Sequence, residues 1–152
     1  MMPGKISQRV ASDRLAWVDK MLGEIRALPL ESKEAFLSDS RNVSTAESCL
    51  RRALEALFDL GRHVLAKGFA VGVTEYKEIA TALRSHQVLL PHDADLMRIL
   101  AGYRNRMVHF YHEVSADELY EICTSYLGDV DQVTNALRHW LNTNQDRMDG
   151  SL

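Results

Sequence analysis

STAESCLRRALEALFDLGRHVLAKG, residues 44–68, decides the fold. Leu50, Leu54, Leu57, Leu60 and Val64 recur every three or four positions, the spacing that stacks side chains on one face of an α-helix. Ser44 followed three residues later by Glu47 reads as a capping box at the start of that helix, and Gly68 reads as its stop. The next few residues, Gly68 to Val73, have some strand character but are short and isolated between helical patterns, so they read as a loop.

The same period extends in both directions. Ile6, Val10, Trp17, Met21, Ile25 and Leu28 give an N-terminal helix that Pro29 ends. Residues 30–42 leave room for a turn of helix around Phe36. After the central helix, Thr74 is a candidate cap for a helix carrying Tyr76, Ile79, Ala80 and Leu83, which closes before Pro91. Another starts near Asp93 and runs through Leu96, Leu100, Tyr103, Met107 and Val108. Ser115 with Glu118 repeats the capping-box pattern and opens a last helix through Leu119, Ile122, Tyr126, Val130, Val133, Leu137 and Trp140. The polar end from Asn142 is expected to fray. About five helices with short connections and no strand pair predict an all-α antiparallel helical bundle, a single domain over residues 1–143 with a polar tail over 144–152.

Composition agrees. At 152 residues, with 46% hydrophobic and 26% charged residues, the chain suits one soluble domain. No apolar run approaches the roughly 20 residues of a membrane span, and the first residues lack the apolar centre of a secretory signal, so a cytoplasmic protein without membrane contact is expected. Cys49 and Cys123 have no Cys-x-x-Cys or Cys/His neighbours and read as reduced packing thiols. A net charge of −3 gives no long-range attraction for nucleic acid, so any such contact must be local.

One segment concentrates polar groups inside an apolar pattern: Arg98, Arg104, Asn105, Arg106, His109, Tyr111 and His112. On a helix, Asn105, His109 and His112 share one face, and Arg104 and Tyr111 share a neighbouring one. The five-residue step from Arg104 to His109 is poorly aligned. Either Arg104 reaches round on its long side chain, or the helix ends near His109 and a second copy completes the site. An imidazole can take the proton of a ribose 2′-hydroxyl while a guanidinium fork holds the phosphate, which suffices for RNA cleavage without metal. Asn105 would orient His109 or the phosphate; Arg106, with Arg98 and His112, is a candidate contact to the RNA backbone. The bland reading is a helix-end cluster that is solvated or salt-bridged.

The run Tyr103-Arg104-Asn105-Arg106-Met107-Val108-His109-Phe110-Tyr111 resembles the Arg-x4-His-x-Tyr motif of the HepT-like branch of the HEPN superfamily. Around it, Asp59-Leu60-Gly61-Arg62-His63-Val64, then Tyr76-Lys77-Glu78, then a capped helix with Tyr120 follow the organisation of that family. The resemblance implies a toxin ribonuclease of a type VII toxin–antitoxin pair, acting on RNA such as tRNA or mRNA as a homodimer whose two motifs face each other. By carry-over, Arg104 and His109 would be catalytic with Asn105 in support. Tyr111 would accept AMP from an MntA-type nucleotidyltransferase antitoxin, placing bulk and negative charge where the RNA phosphate must sit. No cofactor is implied.

Other constellations are weaker. His109 and His112 lack further ligands for a metal, and His63, His86, His92 and His139 read as surface or partly packed histidines. Arg51 and Arg52 either extend an RNA surface or form the solvated face of their helix. Trp17 and Trp140 lie at helical spacing with apolar residues, so core or dimer packing precedes base stacking. The chain lacks the Gly-Ser and Asp-x-Asp signature of a nucleotidyltransferase, and would be the substrate of adenylylation. The alternative function is a non-catalytic HEPN helical module that binds a nucleotidyltransferase or a nucleotide; a pure scaffold, however, needs none of Arg104, His109 and Tyr111.

Overall fold

A computed structural model describes residues 4–109 and 114–150. The spine is α3 (Ser40–Phe69), 30 residues long, whose stripe from Ala46 through Leu50, Leu54, Leu57 and Leu60 to Val64 is fully buried. Before it lie α1 (Gln8–Arg26) and the short α2 (Lys33–Leu37); after it come α4 (Tyr76–Ser85) and α5 (Pro91–His109). The last helical run is α6 (Ala116–Glu121), a π turn (Ile122–Tyr126) and α7 (Leu127–Thr143).

Hydrogen bonds and ion pairs between elements give the directions of the helices. Ser7, Arg14 and Glu24 meet His63, Asp59 and Cys49 in turn, so α3 descends as α1 rises. Asp19 and Arg26 meet Arg138 and Asp131, which sets α7 antiparallel to α1. Asp93 and Arg106 meet Gln132 and Glu118, so the α6–α7 run is antiparallel to α5. The expected antiparallel helical bundle is therefore the fold. Among the described residues no helix is long and apolar enough to cross a membrane.

Local differences from the sequence reading have physical causes. The central helix starts at Ser40, capped by Asp39 through the amide of Arg41 (2.9 Å), and Ser44 lies inside it. Phe36, fully buried on α2, fixes that earlier start, with Asn42 Nδ2 donating to its carbonyl (3.1 Å). The helix also passes Gly68. A Cβ there would sit 2.9 Å from Ile6 Cδ1, so the glycine serves close packing, and the left-handed turn falls on Ala70 (φ 56). Thr74 is not the cap of α4; Glu75 holds that position without a side-chain hydrogen bond. Pro91 is the first residue of α5, where its missing N–H costs nothing. Ser115 does cap α6, accepting from Glu118 N at 3.1 Å.

The expected last helix is interrupted by the π turn, one wide turn that keeps Leu119, Ile122 and Cys123 on the core side along with Leu127, Val130 and Val133. Where fraying was expected, the described residues 145–149 dock. Met148–Asp149 pairs in parallel with Ile6–Ser7, Met148 is buried, and Arg147 donates to the Gly68 carbonyl (2.7 Å) while lying 4.4 Å over the Phe69 ring. Burial pushes the Cys123 thiol up to about 12, and burial with a hydrogen bond to Glu24 pushes Cys49 up to about 11, so both are the unreactive packing thiols expected.

Candidate active site

The last turns of α5 and the start of α4 enclose a cleft of about 510 Å³, lined by residues 74–77 together with Arg104, Asn105 and His109. The helical period delivers this set. Ala101 and Met107 are buried against the core, which leaves Asn105 half-buried at the margin of that face and His109 exposed, the last described residue of the helix. Arg104 leaves α5 on the side facing α3 and α4 and reaches the same cleft by its length. The long side chain brings Arg104 to the cleft within one protomer, and the described part of the helix also ends at His109.

Arg104 is held on three sides. Its Nη2 and Nε donate to Glu55 Oε2 at 3.1 and 3.4 Å. Its guanidinium carbon stands 4.1 Å from the centroid of the Tyr76 ring, which is itself stacked on Phe58 at 4.7 Å. Its Nη1 donates to Asn105 Oδ1 at 3.5 Å. The other oxygen of Glu55 accepts from Arg51 Nη1 at 3.1 Å. Burial raises the Tyr76 phenol above its ordinary pKa, partly offset by Arg104, so the ring stays a neutral platform for the cation. A guanidinium carries five N–H donors in one plane. Those not committed to Glu55 and Asn105 could serve a further acceptor in the cleft.

The remaining residues singled out in the sequence are placed differently. Arg106 points away from this cleft and makes two 2.7 Å hydrogen bonds to Glu118, tying α5 to α6 and holding the Glu118 carboxyl below its ordinary pKa. Arg98 is exposed and donates to Thr81 Oγ1 at 3.4 Å across the α4–α5 seam. Tyr111 and His112, with Phe110, lie outside the described residues. His63 is partly packed, as expected of it, and Trp140 packs at 6.0 Å from Phe69. Trp17 is 40% exposed rather than core. Sequence reasoning gave no site role to Glu55 or Tyr76. Glu55 was detectable only as a lone acid beside Arg51 and Arg52 on the flank of an apolar stripe.

This bundle, with an arginine and a histidine brought to one cleft at the end of a core helix, has the architecture of the HEPN toxins. The tri-AMPylated Shewanella oneidensis HEPN toxin, in complex with MNT antitoxin, superposes with a TM-score of 0.76 at 18% identity, covering 86% of this chain and 97% of that one. YutE from Bacillus subtilis, a cytosolic protein of unknown function, superposes equally well (TM-score 0.76, 16% identity, 95% of this chain and 98% of that one). A tRNA nuclease HepT from Aphanizomenon flos-aquae (strain 2012/KM1/D3) is 21% identical over 140 residues, spanning 92% of this chain and 95% of the relative. The ribonuclease HepT-like family model matches residues 18–137. The chain belongs to the ribonuclease HepT-like family and is, by that membership, an RNA nuclease.

Proposed function

We propose that this protein is the toxin ribonuclease of a type VII toxin–antitoxin pair, cleaving RNA without metal through Arg104 and His109. The observation that carries this reading is the convergence of Arg104, Asn105 and His109 on one cleft, with Arg104 fixed by Glu55 and Tyr76. His109 takes the proton of a ribose 2′-hydroxyl. The 2′ oxygen forms a bond to phosphorus as the bond to the 5′ oxygen breaks, leaving a 2′,3′-cyclic phosphate and a 5′-hydroxyl. Arg104 stabilises the charge gathering on the phosphoryl oxygens, and Asn105 keeps the guanidinium in register. A proton must also reach the departing 5′ oxygen. In a homodimer whose clefts face each other, the second copy of His109 supplies it.

Arg98, Arg106 and His112 are the candidate backbone contacts, although Arg106 must divide itself between RNA and Glu118. The partner is an MntA-type nucleotidyltransferase acting as antitoxin in the cytoplasm. The Tyr111 phenol oxygen attacks the α-phosphorus of ATP and displaces pyrophosphate, and the resulting adenylyl group excludes RNA from the cleft by bulk and charge. Two supports come from the relatives: the Aphanizomenon protein is a tRNA nuclease, and the Shewanella toxin is AMPylated and bound to an MNT antitoxin. Expression of wild type and of His109→Ala in separate cultures tests the toxin. Growth arrest by wild type alone supports it, and equal growth removes it. Mass spectrometry after co-expression with the nucleotidyltransferase tests the control step, which fails if AMP is found elsewhere than on Tyr111, or nowhere.

A further inference from the structure

A second cavity, about 520 Å³, lies beside the cleft, with Arg14 and Trp17 of α1 on one wall, Arg51, Arg52 and Glu55 of α3 along its floor, and Tyr76 at its edge. We propose that this groove is a subsite for single-stranded RNA flanking the cleaved phosphodiester, with a base stacked on Trp17 and the adjoining phosphates on Arg51 and Arg52. The inference rests on the proposed nuclease reading and extends it along the strand.

The two cavities adjoin. Tyr76 lines both, and Glu55 joins them, since one carboxylate oxygen holds Arg51 and the other holds Arg104. A strand whose phosphate meets Arg104 would therefore bring a neighbouring phosphate toward Arg51, the cation on the other oxygen of Glu55. Charge is concentrated here against the sign of the whole molecule. Among the described residues that line the groove, Arg14, Arg51 and Arg52 outnumber Glu55 and Asp59, in a chain of net charge −3. Among the described residues Arg52 has no ion-pair partner, so its charge is available to a ligand.

Trp17 supplies the second component. The residue is 40% exposed on the wall of a polar groove, with Lys20 Nζ over one face of its ring, 5.2 Å from the centroid. Alternating cations and an accessible aromatic face are what a strand of phosphates and bases requires, and stacking of this kind accepts any base.

Trp17 and Trp140 are the two tryptophans, so Trp140→Phe leaves Trp17 as the sole emitter. In that background with His109→Ala, titration with a single-stranded oligoribonucleotide should quench Trp17 emission saturably. Arg51→Ala with Arg52→Ala should weaken this binding about tenfold. In the active protein, Trp17→Ala should raise KM for a long RNA about tenfold, the scale of one base–aromatic stack, with kcat retained and a dinucleotide substrate unaffected. Trp17→Phe should restore most of the loss. RNA that is bound and cut while Trp17 emission stays unmoved overturns the subsite and leaves the nuclease reading standing. RNA neither bound nor cut by the wild type overturns both. Emission that responds to the nucleotidyltransferase and not to RNA assigns the groove to a protein and overturns the proposal.

Discussion

Removing Glu55 should loosen the arginine on which the chemistry depends, by an amount the geometry lets us bound. The Arg104 side chain is 18% exposed and that of Glu55 31%, with two contacts at 3.1 and 3.4 Å. Fully exposed pairs contribute roughly 0.2–1 kcal/mol and hydrogen bonds to charged groups about 1.5–3 kcal/mol. A half-sheltered pair whose cation also stacks on Tyr76 falls between, at about 1–2 kcal/mol. A double-mutant cycle over Glu55→Ala and Arg104→Ala, read by denaturant unfolding, should give that coupling energy. Glu55→Ala alone should lower Tm by roughly 3–6 °C in a domain of this size. It should also reduce RNA cleavage about tenfold, because an unfixed guanidinium must be ordered in the transition state. Glu55→Gln, which keeps an acceptor for Nη2, should recover most of the activity. A coupling energy under about 0.3 kcal/mol, or cleavage by Glu55→Ala at the wild-type rate, would refute the assignment of Glu55 as the residue that positions Arg104.

Three other outcomes follow from the structure. His63 Nε2 accepts from Ser7 N at 3.0 Å, and burial, with Lys67 and Arg14 nearby, holds its pKa below the ordinary imidazole value against the opposing pull of Asp59. Because the folded value is the lower one, this contact stabilises fully above the ordinary imidazole pKa and is lost as pH falls through the folded pKa. Exchange of the Ser7 amide, corrected for its intrinsic rate, should accelerate on acidification and should lose that dependence in His63→Gln; protection indifferent to pH in the wild type contradicts this. Gly61→Val should cost about 1–3 kcal/mol by overpacking, since even a Cβ there meets Ile79 Cγ2 and Leu83 Cδ1 at 3.0 Å, and an unchanged urea midpoint would show that α4 yields freely. Arg98→Ala should lower the salt slope of RNA binding by about one unit if this exposed arginine touches a phosphate, and an unaltered slope removes it from the interface.

The bundle was legible because its information is periodic. Leu50, Leu54, Leu57, Leu60 and Val64 identify the buried face of α3 without reference to any other helix, and every one of them is fully buried. Helix ends were less legible, since Asp39 and Ser44 are both competent caps and only the distant burial of Phe36 selects the first. The docked C-terminal segment had no signature, for a pairing of two residues has no period. In the site, Arg104, Asn105 and His109 stood out by type and spacing within one helix. Glu55 did not, because its role arises from a contact 49 residues away that exists only once α3 and α5 are packed. Of core and dimer packing, the two places expected of Trp17, the structure removes the first. The place of Trp17 in the apolar period of α1 is real, but it falls at the margin of the buried stripe.

The most direct test of the account is cleavage of a defined single-stranded RNA by the purified protein with EDTA present, comparing wild type with His109→Ala and Arg104→Ala. Cleavage by the wild type alone, leaving 2′,3′-cyclic phosphate ends and lost in both variants, is the predicted result. Cleavage that survives in His109→Ala, or that disappears from the wild type when metal is chelated, would contradict it.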